Sequence, residues 1–129
     1  MYGLDFSPFT EDGQDPNQGS WISEEQLREK MEIIGPYTEW IRTFSCTHGL
    51  EKAGFIARSL NLKIAVGAWL GTGLSANEEE ISNLISIAQA GQADMLIVGS
   101  EVLLRRDLTE SLLIAYIDRV REAVPGIPV

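Results

Sequence analysis

Basic residues and cysteine are scarce in this sequence. Its 129 residues include 10 lysines and arginines against 19 aspartates and glutamates, so the formal net charge is −9. Phosphate binding needs a positive field, and this composition therefore excludes nucleic acid as an expected partner. The single cysteine, Cys46, cannot form an internal disulfide, so the fold does not depend on a disulfide framework.

Long apolar runs are also absent. The longest, 64–70 and 95–98, are far shorter than the roughly 20 residues that cross a bilayer, so we expect no membrane segment. The first residues lack a basic region followed by an apolar one, so we expect no signal peptide in this chain, and the compartment stays open. Cys46 and His48 are too few for a metal site, and the glycines of 67–73 lack the order of a nucleotide loop, so we expect no metal and no cofactor.

What the sequence does contain is an alternation of strand-like and helix-like hydrophobic periods. We predict strands near 3–9, 38–44, 62–70 and 93–99, with the start of a fifth at 127–129. Between them, helices are predicted to begin at Ser23, at Asn77 with Glu80 as a capping box, and at Asp107 or Thr109. The pattern predicts one α/β domain over 1–129, built from βα units with a parallel sheet.

Two architectures use such units. A domain with an open doubly wound sheet is complete at about this length, whereas a barrel of eight βα units needs about 250 residues. Periodicity does not decide between them. In both, functional side chains lie where each strand passes into its following loop.

Glu101 is the most informative strand-end residue. It directly follows the apolar run 95–99, so we expect its carboxylate at the rim of the sheet and half desolvated. A solvent-facing loop glutamate is the alternative interpretation. By contrast, the acidic triplet 78–80 is explained by the helix dipole, and His48 has no nucleophile beside it and is interpreted as a loop histidine.

Other strand ends offer binding residues. Asp5 lies in the end of the first predicted strand, 5–9, and Arg42 interrupts the second, where a guanidinium needs a carboxylate partner or a functional role. Phe9, Phe44 and Trp69 place rings at three strand ends, where they can pack against the apolar faces of sugars or simply complete the core.

Four segments, in order, resemble the strands of glycoside hydrolase family 17, the β-1,3-glucanase and glucan-transglycosylase family, and its bacterial members above all. They are GLDFSPF, TEWIRTFS, KIAVGAWLG and IVGSEVLLR. The resemblance covers nearly the whole chain. It implies a TIM (β/α)8 barrel, of which 129 residues supply about the first four βα units, and a retaining mechanism that uses two glutamates.

The resemblance also implies individual roles. Glu101 matches the general acid/base at the end of strand four, and the nucleophile, at the end of strand seven, is missing from this chain. Arg42 matches an arginine that supports the nucleophile electrostatically. Ser100 stands where the family usually has an asparagine that binds the sugar 2-hydroxyl. We expect the substrate-binding residues to be Arg42, Trp69, Ser100, Phe44 and Asp5.

The leading hypothesis is therefore the N-terminal half of a retaining glycoside hydrolase acting on β-glucan with β-1,3 linkages, a half that is inactive alone. Hydrolysis and transglycosylation both stay open. One alternative is a non-catalytic half-barrel that binds carbohydrate or forms a homodimer through its exposed strand edges. Another is a small, complete, doubly wound ligand-binding domain.

Overall fold

A computed structural model describes all residues, 1–129, and strands alternate with helices along the chain. The strands are β1 (Gly3–Asp5), β2 (Trp40–Arg42), β3 (Lys63–Ala68) and β4 (Met95–Val98). The helices are α1 (Glu24–Ile34), α2 (Ala53–Ser59), α3 (Leu74–Gln89) and α4 (Glu110–Ala123). Short 3-10 turns lie at Pro16–Gln18, Gly35–Tyr37 and Leu50–Lys52. None of the helices has both the length and the apolar character that crossing a bilayer requires.

The four strands form one parallel sheet in the order β1-β2-β3-β4. A doubly wound sheet reverses its strand order at a switch point, whereas a barrel adds each new strand on the same side. No reversal occurs here. The chain therefore has the architecture of the first half of a TIM barrel, as predicted, and the interpretation as a doubly wound sheet is wrong.

The observed strands lie inside the expected ranges but are shorter, because the residues beyond each strand turn into loops at the rim. The segment 127–129 has no assigned strand. It nevertheless contacts the edge of the sheet, where the Leu96 N–H donates a hydrogen bond of 2.8 Å to the Pro128 carbonyl. The far edge of β4 is thus partly covered by the end of the chain.

The two faces of the sheet differ. Ile41, Ile64, Val66 and Leu96 are at most 1% exposed and belong to the core shared with the helices. The residues that alternate with these along each strand point to the other face of the sheet, away from that core. Met95 lies on this second face and is 40% exposed. In a closed barrel this second face is directed toward the barrel axis.

Two of the three predicted helix starts are confirmed. Ser23 caps α1 by accepting from Gln26 N–H at 3.1 Å, and Thr109 caps α4. The capping box at Asn77 and Glu80 is wrong, because α3 begins about one turn earlier, after Gly73. The Asn77 amide instead makes two 2.8 Å hydrogen bonds with the backbone of Gly71 and so closes the loop that leads into the helix.

Candidate active site

The guanidinium of Arg42 contacts three of the other predicted site residues at the carboxyl ends of the strands. Its Nη1 lies 3.9 Å from Asp5 Oδ1, and its Nη2 donates to Ser100 Oγ at 3.4 Å. Its Cζ lies 4.4 Å from the centroid of the Phe44 ring. The register explains the first contact, since Asp5 pairs directly with Arg42 across β1 and β2. Glu101 follows Ser100 in the chain.

These contacts hold Arg42 only loosely. The Asp5 side chain is 66% exposed, and an ion pair of this kind contributes about 0–1 kcal/mol. The Nε of Arg42 is buried without a hydrogen-bond partner, which costs about 1–3 kcal/mol. The ion pair with Asp5 therefore does not by itself offset the burial of the guanidinium, and the substrate-binding role of Arg42 stays a prediction.

The loop that carries Glu101 is built from left-handed backbone. Gly99 has φ +83° and Glu101 has φ +53°, a conformation that is uncommon for residues other than glycine. The turn directs Val102 into the core, where it is 3% exposed, and leaves Glu101 exposed; the Glu101 carbonyl accepts from Arg105 N–H at 2.9 Å, but its carboxylate has no hydrogen bond or ion pair. The expected half-desolvation of Glu101 is therefore wrong for these 129 residues, since the turn buries its neighbour instead.

Arg105, which the sequence analysis did not assign, fastens this loop to the end of β3. It donates to the carbonyls of Ser100 and, at 2.9 Å, of Leu70, and it pairs with Asp107 at 2.7 Å. Its guanidinium also stacks on Trp69, 4.4 Å from the ring centroid. Trp69 therefore lies beside Arg105 and is not among the contacts of Arg42. The sequence feature that could have indicated Arg105 is its position at the end of the motif IVGSEVLLR.

Glu80 is a second residue whose place at the site was not predicted from the sequence. The helix dipole was expected to account for it, but the side chain is 4% exposed and joins the loops after β2 and β3. Its Oε1 accepts from the hydroxyls of Ser45 and Thr47, and its Oε2 accepts from the N–H groups of Cys46 and Trp69. The available signal was spacing, because Glu80 falls three residues after Asn77 and four before Leu84 on the buried face of α3.

A cleft of about 570 Å³ opens between the loops that follow β1, β2 and β3. The expected rings of Phe9, Phe44 and Trp69 all line it, and Trp69 is 42% exposed. Polar groups line the same cleft, among them His48 and Glu79. A concave site with aromatic walls and a few polar side chains is typical of ligand binding.

Cys46 is not a candidate catalytic residue. Its thiol donates to the Gly67 carbonyl at 3.2 Å, and burial, reinforced by the nearby carboxylates of Glu80 and Glu51, raises the pKa of Cys46 well above the usual cysteine range. The thiol therefore stays protonated. No three or more His, Cys, Asp or Glu side chains are grouped so that they can share a metal ion.

Comparison with known families identifies the fold. The model of the BtgE/BtgC glycoside hydrolase domain matches residues 3–128. The chain belongs to this family. The resemblance found in the four strand motifs is thereby confirmed, and the chain is a glycoside hydrolase domain, of the group that includes β-1,3-glucanosyltransferases.

Individual relatives agree with this assignment. The chain is 26% identical over 125 residues to the probable beta-glucosidase btgE of Aspergillus flavus, covering 94% of this chain and 20% of that protein. It is also 26% identical over 101 residues to the glucan 1,3-beta-glucosidase BGL2 of Candida albicans, covering 75% of this chain and 33% of the relative.

A solved structure matches with a TM-score of 0.74 and 28% identity: an active-site mutant of the Rhizomucor miehei beta-1,3-glucanosyltransferase in complex with laminaritriose. The match covers 95% of this chain and 44% of that enzyme. The BtgE/BtgC domain described here thus spans less than half the length of each of these relatives.

Proposed function

We propose that these residues form the N-terminal half of the barrel of a retaining enzyme that acts on β-1,3-glucan, with Glu101 as its general acid/base. The observation that supports the proposal is the contact of Ser100, the residue before Glu101, with Arg42 at the rim of a BtgE/BtgC glycoside hydrolase sheet. The relative in complex with laminaritriose supports the substrate class.

A retaining glycosidase needs two carboxyl groups about 5–5.5 Å apart. One attacks the anomeric carbon, while the other protonates the departing oxygen and then activates the acceptor. Glu101 supplies the second function, and its exposure gives it access to the glycosidic oxygen. The nucleophile comes from the half of the barrel that lies outside these four strands.

The neighbours of Glu101 then have separate tasks. Arg42 directs its two Nη groups at the rim, where they stabilise the carboxylate that attacks the sugar, and Asp5 orients the guanidinium. Ser100 offers a hydroxyl to the 2-hydroxyl of the sugar, a contact that strengthens in the transition state. Phe44 and Trp69 provide faces on which glucosyl rings pack.

Self-association is a second candidate function. The inner face of the sheet exposes Met95, and β1 has a free edge, both of which a second copy would cover. A stable dimer of the 129-residue chain in light scattering at micromolar concentration supports this function, and a folded monomer contradicts it.

Glu101→Gln tests the catalytic proposal in the full-length protein. We expect cleavage of laminarin to fall by about 10²- to 10⁴-fold, the range that a general acid contributes. The matched control is Glu110→Gln, which neutralises an exposed carboxylate in the first turn of α4 and leaves the rate unchanged. Equal rates for the two variants contradict the role of Glu101.

A further inference from the structure

We infer that His48 is a sugar-binding residue whose unprotonated Nε2 accepts a hydrogen bond from a glucosyl hydroxyl in the cleft. The inference deepens the proposed function and rests on it. His48 lies in the loop after β2 and is exposed along the cleft wall. It is the only histidine in the chain.

The buried carboxylate of Glu80 fixes which ring nitrogen carries the proton. A carboxylate only accepts hydrogen bonds, and Thr47 Oγ1 lies 2.8 Å from Glu80 Oε1, so the single hydroxyl proton of Thr47 is directed there. Thr47 Oγ1 also lies 2.9 Å from His48 Nδ1. Ser45 Oγ, 3.1 Å from Thr47 Oγ1, donates its own proton to the same carboxylate, so we assign the donor role in the contact between Thr47 and His48 to Nδ1.

A neutral imidazole carries one proton, so a protonated Nδ1 leaves a lone pair on Nε2. Nε2 has no hydrogen-bond partner within the protein. The relay from Nδ1 through Thr47 to Glu80 therefore presents a fixed acceptor at the cleft wall. A sugar hydroxyl can donate to such an acceptor.

The backbone around the ring is held in a conformation that suits this purpose. His48 has φ +56°, and its carbonyl accepts from Ile22 N–H at 2.9 Å. Gly49 follows with φ +95°, and a Cβ there would lie 1.9 Å from the Ile22 carbonyl oxygen. Residues whose surroundings hold them in a left-handed backbone conformation cluster at binding sites.

Gly19 keeps the space beside Nε2 open. It lines the cleft, and a Cβ at this position would come within 3.0 Å of Nε2. Trp21 packs against the ring edge-on, with centroids 6.5 Å apart, and limits its rotation. Trp21 and Thr47 thus orient the imidazole, and its acceptor atom, Nε2, stays free.

Nitrogen NMR of the unaltered protein tests the tautomer directly, because one histidine gives one pair of ring signals. At mildly alkaline pH we expect a protonated Nδ1 and an unprotonated Nε2, and a mixture of both tautomers in Thr47→Val. We also expect addition of laminaritriose to shift the Nε2 signal. A protonated Nε2, or an Nε2 signal unchanged while laminaritriose binds, overturns the inference.

Binding measurements give an independent readout. His48→Asn accepts the left-handed backbone, and its shorter side chain leaves no acceptor at the position of Nε2, so we expect it to weaken laminaritriose binding about fivefold, the effect of one hydrogen bond between neutral groups. If the variant and the unaltered protein bind laminaritriose with equal affinity, the role of His48 is overturned, but the proposed function is not. Failure of the unaltered protein to bind laminaritriose contradicts the proposed function itself, whatever the tautomer.

Discussion

Three charged side chains hold the strand-end loops together at the scale of single residues. Arg42 joins β1, β2 and the Ser100 loop, Arg105 joins that loop to the end of β3, and Glu80 joins the loops after β2 and β3. Arg105 and Glu80 each use several hydrogen bonds, whereas Arg42 uses one hydrogen bond to Ser100 and a 3.9 Å ion pair with Asp5. The rim is therefore organised by charge-assisted hydrogen bonds, which are stronger than those between neutral groups.

Glu80→Ala should destabilise the domain strongly. It leaves two hydroxyls and two backbone N–H groups without their acceptor, and at about 1–3 kcal/mol per buried unsatisfied group we expect a loss of at least about 3 kcal/mol in urea unfolding. Glu79→Ala is the matched control, since Glu79 is exposed and its removal should cost less than about 0.5 kcal/mol. Similar losses for both variants would contradict the anchoring role of Glu80.

Cys46 should make the free energy of unfolding depend on alkaline pH. Because its pKa is raised in the folded state, the unfolded chain releases the thiol proton first, so stability falls as the pH rises above about 8.5. Below that pH both states keep the proton and the contribution is constant. Cys46→Ala should therefore show a shallower decline between about pH 8 and 10. Parallel pH profiles for the two proteins would refute this assignment.

The sequence predicted part of this residue-level arrangement. Asp5, Arg42, Phe44 and Ser100 were each placed at strand ends, and parallel strands bring such residues to one edge. Glu80 was missed because a charged triplet at an expected helix start is explained by the dipole. Once α3 is known to begin at Leu74, Glu80 falls on the buried face.

At the element scale, close approach between β2 and β3 determines where the rim loops begin. Gly67 in β3 lies so near the end of β2 that a Cβ would come within 2.4 Å of the Thr43 carbonyl oxygen. The Gly67 carbonyl in turn accepts from the Cys46 thiol. A glycine here lets two loops that carry site residues start side by side.

Gly67→Ala should therefore push the two strand ends apart. Inserting a methyl group into a packed contact costs about 1–3 kcal/mol, and we expect a loss of this size in thermal or urea unfolding. Gly71→Ala is the matched control, because no atom lies within 4 Å of a Cβ there and its φ is ordinary. A loss at Gly71 as large as at Gly67 would show that the close approach is not responsible.

Strand order belongs to the whole molecule, and the sequence did not determine it. Hydrophobic periods identify βα units, but a reversing sheet and a barrel present the same periods along the chain. The motifs resolved the ambiguity by resemblance, and the order β1-β2-β3-β4 resolves it by geometry. The net charge of −9 suits a neutral glucan better than a polyanion.

The azide product of a Glu101→Ala variant distinguishes whether Glu101 is the acid/base of a retaining enzyme. Azide attacks a covalent glycosyl-enzyme without help from a base, so it bypasses a missing acid/base but not a missing nucleophile. With a β-1,3-glucan substrate that has a good leaving group and the full-length protein, we predict restored turnover and a β-glycosyl azide, formed by two inversions. An α-glycosyl azide, or no restored turnover, would contradict Glu101 as the acid/base.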